Sequence, residues 1–138
     1  MDIKRKIELW LCQQLAARVV SPQSVTFLPS HGDTDIDPPF GVVGVASLEE
    51  LIQGRDLYQG DGALQILSHI NDTDSEQHAE LVQVIKLALQ EIQLELPSFS
   101  GDYDLQIHGL DIGGMKANDS PEDSAHADIW PLRFGVSG

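Results

Sequence analysis

The segment "HGDTDID" carries the densest set of side chains able to do chemistry. It places a histidine and three aspartates at every second position: His31, Asp33, Asp35 and Asp37. In extended backbone this spacing puts all four on one side of the chain, and oxygen-rich sets suit hard cations such as Ca²⁺ or Mg²⁺. The glycine comes too early for a calcium loop, however, and Gly44 stands where a closing glutamate is needed. We interpret the cluster as a solvated acidic loop, with a metal-binding module or small metal-dependent enzyme as the alternative.

The remaining reactive side chains do not form a catalytic pattern. Cys12 lies among apolar residues at helical spacing with no base nearby, which is typical of a buried structural thiol. No pair of histidines has the spacing of helical zinc ligands, and the chain lacks GxSxG and HExxH motifs. Neither "GDGALQ" nor "GLDIGGMK" opens a helix as a phosphate loop would. The sequence therefore predicts a protein that is not an enzyme.

The composition predicts one acidic globular domain. The chain has 138 residues, of which 41% are apolar, and this length fits a single domain spanning 1–138. Twenty-two acidic residues oppose eight basic ones, for a net charge of −14. Binding to nucleic-acid phosphates needs many lysines and arginines, so direct DNA binding is disfavoured. No apolar run approaches the ~20 residues of a membrane span, and the basic start lacks a signal-peptide core; we expect an intracellular protein.

Two segments have the apolar periodicity of helices. Residues 2–19 carry one stripe that repeats every four residues: Ile3, Ile7, Leu11 and Leu15. The second helix is predicted from about Ser75 to Leu94, after a capping box formed by Thr73 and Glu76. Its apolar residues cover more than one face, which predicts burial on more than one side.

Four segments are predicted to be strands: residues 40–46, 63–70, 103–112 and 125–136. Ser21–Pro39 is interpreted as an irregular connection, and Ser47–Asp61 as a long loop with apolar side chains. The apolar phase slips at Gly109, which predicts a bulge, and again at Pro131, which indicates a bulge or an edge position. Bulges in both strands would bend and twist the C-terminal hairpin. The order α-β-β-α-β-β indicates an α+β fold: a mostly antiparallel four-stranded sheet with two helices packed on it.

This layout resembles the phage tail terminator (tail completion) family over nearly the whole chain. The resemblance lies in the strand "PPFGVVGV", the strand-to-helix unit "GDGALQILSHINDTDSEQHAELVQVIKLALQ" and the closing strand "SAHADIWPLRFGV". It implies a virion structural protein whose ring, commonly a hexamer, caps the head-proximal end of the tail tube and stops its polymerisation. Neck stoppers and head–tail connectors have similar small α+β cores and form the first alternative. A host-derived soluble binding domain is another.

The resemblance also implies the partners. The ring would contact the tail tube protein, a neck or connector protein and, in contractile tails, the sheath protein. DNA would pass through its channel without specific binding, and neither a membrane nor a cofactor would be involved.

A closed ring needs two different patches on each subunit. The basic start on an acidic body supplies one candidate patch, although a solvated face would look the same. The segment Ser47–Asp61 and the tip of the last hairpin supply apolar candidates. The predicted contact residues are Lys4, Arg5, Lys6, Leu51, Ile52, Tyr58, Met115 and Lys116.

Overall fold

The computed structural model describes residues 2–20, 25–30, 40–52, 54–69, 75–117 and 125–138. The elements, in chain order, are α1 (Ile3–Arg18), β1 (Thr26–Pro29), β2 (Phe40–Ile52), β3 (Leu57–His69), α2 (Ser75–Leu94), β4 (Ser98–Ser100), β5 (Leu105–Ile112), β6 (Lys116–Ala117) and β7 (Ala125–Ser137). The acidic cluster at residues 31–37 and the capping residue Thr73 lie outside the described residues. None of the described helices is both long enough and apolar enough to span a membrane.

The strands form one sheet with the order β1-β2-β3-β7-β5-β4, and β6 pairs with β7. β1 runs parallel to β2, and every other pair is antiparallel. Two helices with a mixed sheet confirm the α+β class, but the prediction of four antiparallel strands is wrong. β1 lies in the proline-rich segment taken for an irregular connection, and β4 and β6 are too short to show a period.

The predicted loop Ser47–Asp61 is also wrong, because this segment is a β-hairpin. β2 continues to Ile52, and β3 starts at Leu57 after a turn in which Gly54 and Asp56 have positive φ angles of 79° and 50°. The pairing of β2 with β3 shifts twice, between Val45 and Ser47 and between Glu50 and Ile52. These irregularities break the two-residue alternation from which a strand is recognised.

In the C-terminal half, one predicted bulge is present and the other is not. The β5–β7 register shifts between Ile107 and Gly109, which confirms the bulge at Gly109. β7 pairs with β3 from Ala125 to Ser137 with no shift, and with β5 on its other side, so both alternatives for Pro131, a bulge and an edge strand, are wrong. Asp128 is buried on the side of β7 that carries Trp130, and this polar residue hid the continuous alternation.

Both helices pack on one face of the sheet and form a single core. The helix prediction Ser75–Leu94 is confirmed, and α1 is one residue shorter at each end than predicted. Fully buried side chains come from both helices and from four strands: Ile7, Leu11, Leu15, Leu64, Ile66, Leu81, Ile85, Leu89, Ile92, Leu105, Ile107 and Phe134 among them. Arg18 joins the helices: its guanidinium pairs with the Glu95 carboxylate, and its Nε lies 3.5 Å from Glu91 Oε1.

Candidate functional site

The start of α1 interrupts the pairing of β1 with β2. The last bond of this parallel ladder runs from the Ser30 N–H to the Val43 C=O, at 2.8 Å. The next rung would join the Val45 N–H to the Ser30 C=O. Instead, Arg5 Nη1 donates to the Ser30 C=O at 3.0 Å, and Glu8 Oε2 accepts from the Val45 N–H at 2.9 Å. Two helix side chains therefore replace one backbone hydrogen bond.

Glu8 is 4% exposed, and the Ser30 hydroxyl also donates to it at 2.6 Å. The first register shift of β2 follows directly after Val45. The carboxylate thus satisfies a backbone N–H that has lost its strand partner, where an unpaired buried donor would be costly. This arrangement fixes α1 to the sheet edge, and sequence periodicity gave no sign of it.

A groove of about 820 Å³ opens beside this ladder break. Its walls combine the charged start of α1 with small residues of β2 and β3, and they include Asp2, Lys4, Arg5, Glu8, Gly44, Ala46, Asp61, Gly62 and Ala63. Gly62 allows a close approach here, because a Cβ at this position would lie 2.1 Å from the Gly44 carbonyl oxygen. The groove is lined by three carboxylates and two cations, so its charge does not select one class of ligand.

The interior holds two further groups with possible chemistry. Burial, together with the nearby Glu8 charge, raises the pKa of the Cys12 thiol to about 12, so the thiol is protonated and unreactive at neutral pH. His78 on α2 pairs with Asp128 on β7, and the two residues are only 7% and 4% exposed. This buried pair was missed from the sequence. The sequence did contain one sign of it. Asp128 precedes Trp130 by two residues, so the alternation of a strand places its side chain on the core-facing side of β7.

The predicted contact residues fall into separate places. Lys4 is exposed, whereas Arg5 and Lys6 are half-buried and Arg5 is bound to Ser30. Leu51 is 49% exposed at the tip of the β2–β3 hairpin, while Tyr58 packs against the core. The backbone of Ile52 pairs with Leu57, but its side chain lies outside the described part of the structure.

Met115 is 42% exposed directly before β6, and Lys116, the first residue of β6, is exposed. Lys116 pairs with Ile129, whereas Leu57 at the hairpin tip pairs with Ser137. Eight residues of β7 separate these rows, which is about 26 Å of strand. The predicted contact residues therefore lie at both ends of the sheet and do not form one patch.

Other exposed apolar side chains were not singled out from the sequence. Leu94 is 84% exposed and Leu87 55% exposed on α2, seven residues apart and thus on one stripe of the helix. Phe99 is 66% exposed on the edge strand β4, and Val20 is 68% exposed after α1. The three-residue β4 gave no periodic signal. The spread of apolar residues around the second helix predicted burial on more than one side, but Leu87 and Leu94 are exposed.

Within the described residues, no group of three or more His, Cys, Asp or Glu side chains is placed to hold a metal ion. The cluster His31, Asp33, Asp35 and Asp37 falls outside those residues, so the metal-binding alternative for it stays a sequence-based hypothesis.

No known protein-family model matches this chain, and no curated protein matches it either. Among solved structures, the chain is similar to a chain of the "virion of native gene transfer agent (GTA) particle". The two are 13% identical, superpose with a TM-score of 0.61, and match over 96% of this chain and 94% of that one. A second solved structure without a descriptive name is 18% identical with a TM-score of 0.48, over 98% of this chain and 92% of that one. The first likeness shows a fold shared over nearly the full length with a chain from a virion particle.

Proposed function

We propose that this protein is a phage tail terminator: a virion structural protein that forms a six-membered ring on the head-proximal end of the tail tube. The observation that carries the proposal is the full-length fold shared with a chain of a phage-like virion particle. In this proposal the ring stops tube polymerisation and offers a docking face to the neck or connector. It has no catalytic activity and uses no cofactor.

The charge distribution supports a channel through which DNA passes without sticking. All eight basic residues lie in the described part of the chain. Arg18 and Arg133 are paired with acids, and Arg5 is bound to a backbone carbonyl. Against 22 acidic residues, few cations are left to hold DNA phosphates.

The predicted contact residues support a ring interface of the head-to-tail type. Such an interface needs two unlike patches on each subunit, and exposed Leu51 and the basic start of α1 lie at different places. Met115 is a further exposed apolar side chain at another place on the sheet. We propose that Leu51 with its neighbours Ile52 and Tyr58 contributes to one patch, and that Met115 and Lys116, at the opposite end of the sheet, contact the tube or the neck. Lys4, Arg5 and Lys6 supply positive charge that an acidic neighbour or tube protein can face.

The proposal is tested by mixing the purified protein with tail tube protein and examining the product by electron microscopy. We expect rings on one end of each tube, together with tubes that no longer lengthen. A protein that stays strictly monomeric with tube protein present would contradict it. Binding to isolated portal complexes but not to tubes would instead assign it to the neck as a stopper or connector, which the shared fold also allows.

A further inference from the structure

We infer that neighbouring copies join edge to edge, with β4 of one copy against the outer end of β2 of the next. This inference rests on the proposed ring and names the surfaces that build it. Both surfaces are strand edges that no other described strand covers. β1 pairs with β2 only as far as Val43, so the described part of β2 from Ser47 to Ile52 has a strand on one side only. β4 pairs only with β5 and ends the sheet on the other side.

The register places both free edges at the same level of the sheet. Phe99 pairs with Gln106, Gln106 with Ser137, Ser137 with Leu57, and Leu57 with Ile52. One cross-strand row therefore runs from one free edge to the other, a width of about 19 Å for five strands. A copy displaced sideways by this width plus one strand spacing, about 24 Å in all, brings the two edges together without a shift along the strands.

The strand directions also match. Four antiparallel steps separate β2 from β4, so the two strands point the same way within one copy. A ring axis that runs roughly along the strands preserves this direction from copy to copy. The new pair would therefore be parallel and head-to-tail, and this kind of contact closes into a ring when the rotation per copy is correct.

The two edges match in one exposed apolar residue each and in one oppositely charged pair, while the other exposed charges there, Glu49, Glu50, Asp56 and Asp104, are acidic. Each edge exposes one large apolar residue, Leu51 at 49% and Phe99 at 66%. Exposed Arg55 lies in the β2–β3 turn, and exposed Asp102 lies in the β4–β5 turn. Both turns are at the same end of the sheet, because Leu57 and Leu105 each start their strands there. Edge-to-edge contact thus places Arg55 of one copy beside Asp102 of the next. It also buries Leu51 and Phe99, which are exposed to solvent in a single copy.

Cross-linking tests the contact directly. The double variant L51C/F99C should give a ladder of disulfide-linked species up to the full ring under mild oxidation, because each copy offers one thiol to each neighbour. Neither L51C nor F99C alone should give disulfide-linked species larger than a dimer. The native Cys12 should not take part in cross-linking, because it is buried and its thiol pKa is about 12. Rings seen by electron microscopy without such a ladder from L51C/F99C would overturn the edge-to-edge contact.

Charge reversal gives a second, independent test. R55E should raise the protein concentration at which rings form by about tenfold, because it sets two acids against each other. Adding D102K to R55E should restore assembly. K86E is the matched control, since Lys86 is exposed on α2 and away from both edges. Rings that form normally in R55E would count against this interface alone, whereas the absence of rings and tube capping in the unmodified protein would defeat the proposed function itself.

Discussion

Among single residues, Glu8 has the widest structural effect. It lies on a helix but completes the backbone hydrogen bonding of a strand, through the Val45 N–H, and also accepts from the Ser30 hydroxyl. Hydrogen bonds to a charged acceptor contribute more than neutral ones, and the donors they satisfy are costly to leave buried and unpaired. One carboxylate therefore sets the position of α1, the end of the β1–β2 ladder and one wall of the groove.

Glu8→Ala should lower the free energy of unfolding by about 2–3 kcal/mol, because it leaves the Val45 N–H without an acceptor. Glu8→Gln keeps an acceptor oxygen and should cost about 1 kcal/mol. Urea denaturation followed by circular dichroism measures both changes. The matched control is Glu80→Ala, an exposed position on α2 where a change below about 0.5 kcal/mol is expected. Equal losses for Glu8→Ala and Glu80→Ala would show that the ladder contact does not stabilise the fold.

Cys12 makes stability depend on pH in the alkaline range. Burial raises the pKa of its thiol from 9.0 to about 12, so the folded chain holds a proton that the unfolded chain loses above pH 9. Stability from this group is complete below pH 9 and falls as the pH rises towards 12, by up to about 1.4 kcal/mol per pH unit. The measurement is the unfolding free energy at pH 8, 9 and 10, compared with Cys12→Ala. The variant should lack this slope, and parallel pH profiles would contradict the prediction.

Among the elements, the predictable ones were those whose sequence keeps a single period. α2 was predicted at its observed bounds because its apolar stripe runs for five turns without a break. The β5 bulge was predicted because the apolar phase changes once, at Gly109. The β2–β3 hairpin was missed because two register shifts within β2 scramble its alternation. β1 was missed because its four residues are too few to show a period and lie in a proline-rich segment.

The candidate site was predictable only where exposure follows from the type of local segment. Leu51 and Met115 are exposed, in segments predicted as a loop and as a hairpin tip, whereas Tyr58 packs against the core. The ladder break at Glu8 and the buried pair of His78 with Asp128 join distant segments. A single sequence contains both residues of each contact but does not show which distant residues pair.

The close contact of β2 with β3 gives a prediction at this scale. Gly62→Ala would place a methyl group 2.1 Å from the Gly44 carbonyl oxygen, where only backbone could move to relieve it. We expect a loss of about 3 kcal/mol in unfolding free energy, measured by urea denaturation. The control Gly114→Ala has no atom within 4 Å of the added carbon and should change stability by less than about 0.5 kcal/mol. A tolerated Gly62→Ala would mean that the two strands lie further apart.

At the scale of the whole molecule, the helices cover one face of the sheet, and the other is an open face that no described helix covers. Both helices occupy the same face, and the open face carries polar and small side chains such as Gln106, Asp111 and Arg133. The free edges lie at one end of this sheet, while Met115 and Lys116 lie some 26 Å away along β7. A subunit of this shape can meet copies of itself through its edges and still keep a different end for another protein.

The excess of acid described above also has a kinetic consequence. Copies that each carry a charge of −14 repel one another before any edge can meet, and this repulsion reaches about 30 Å at 0.01 M salt but only about 10 Å at 0.1 M. Added salt should therefore speed the association of subunits, although it slows most complexes whose partners attract. Stopped-flow light scattering across this range of ionic strength measures the rate, and an association that slows with salt would show that local attraction outweighs the repulsion. If salt does speed association, the ionic strength of the surroundings controls when the subunits can assemble.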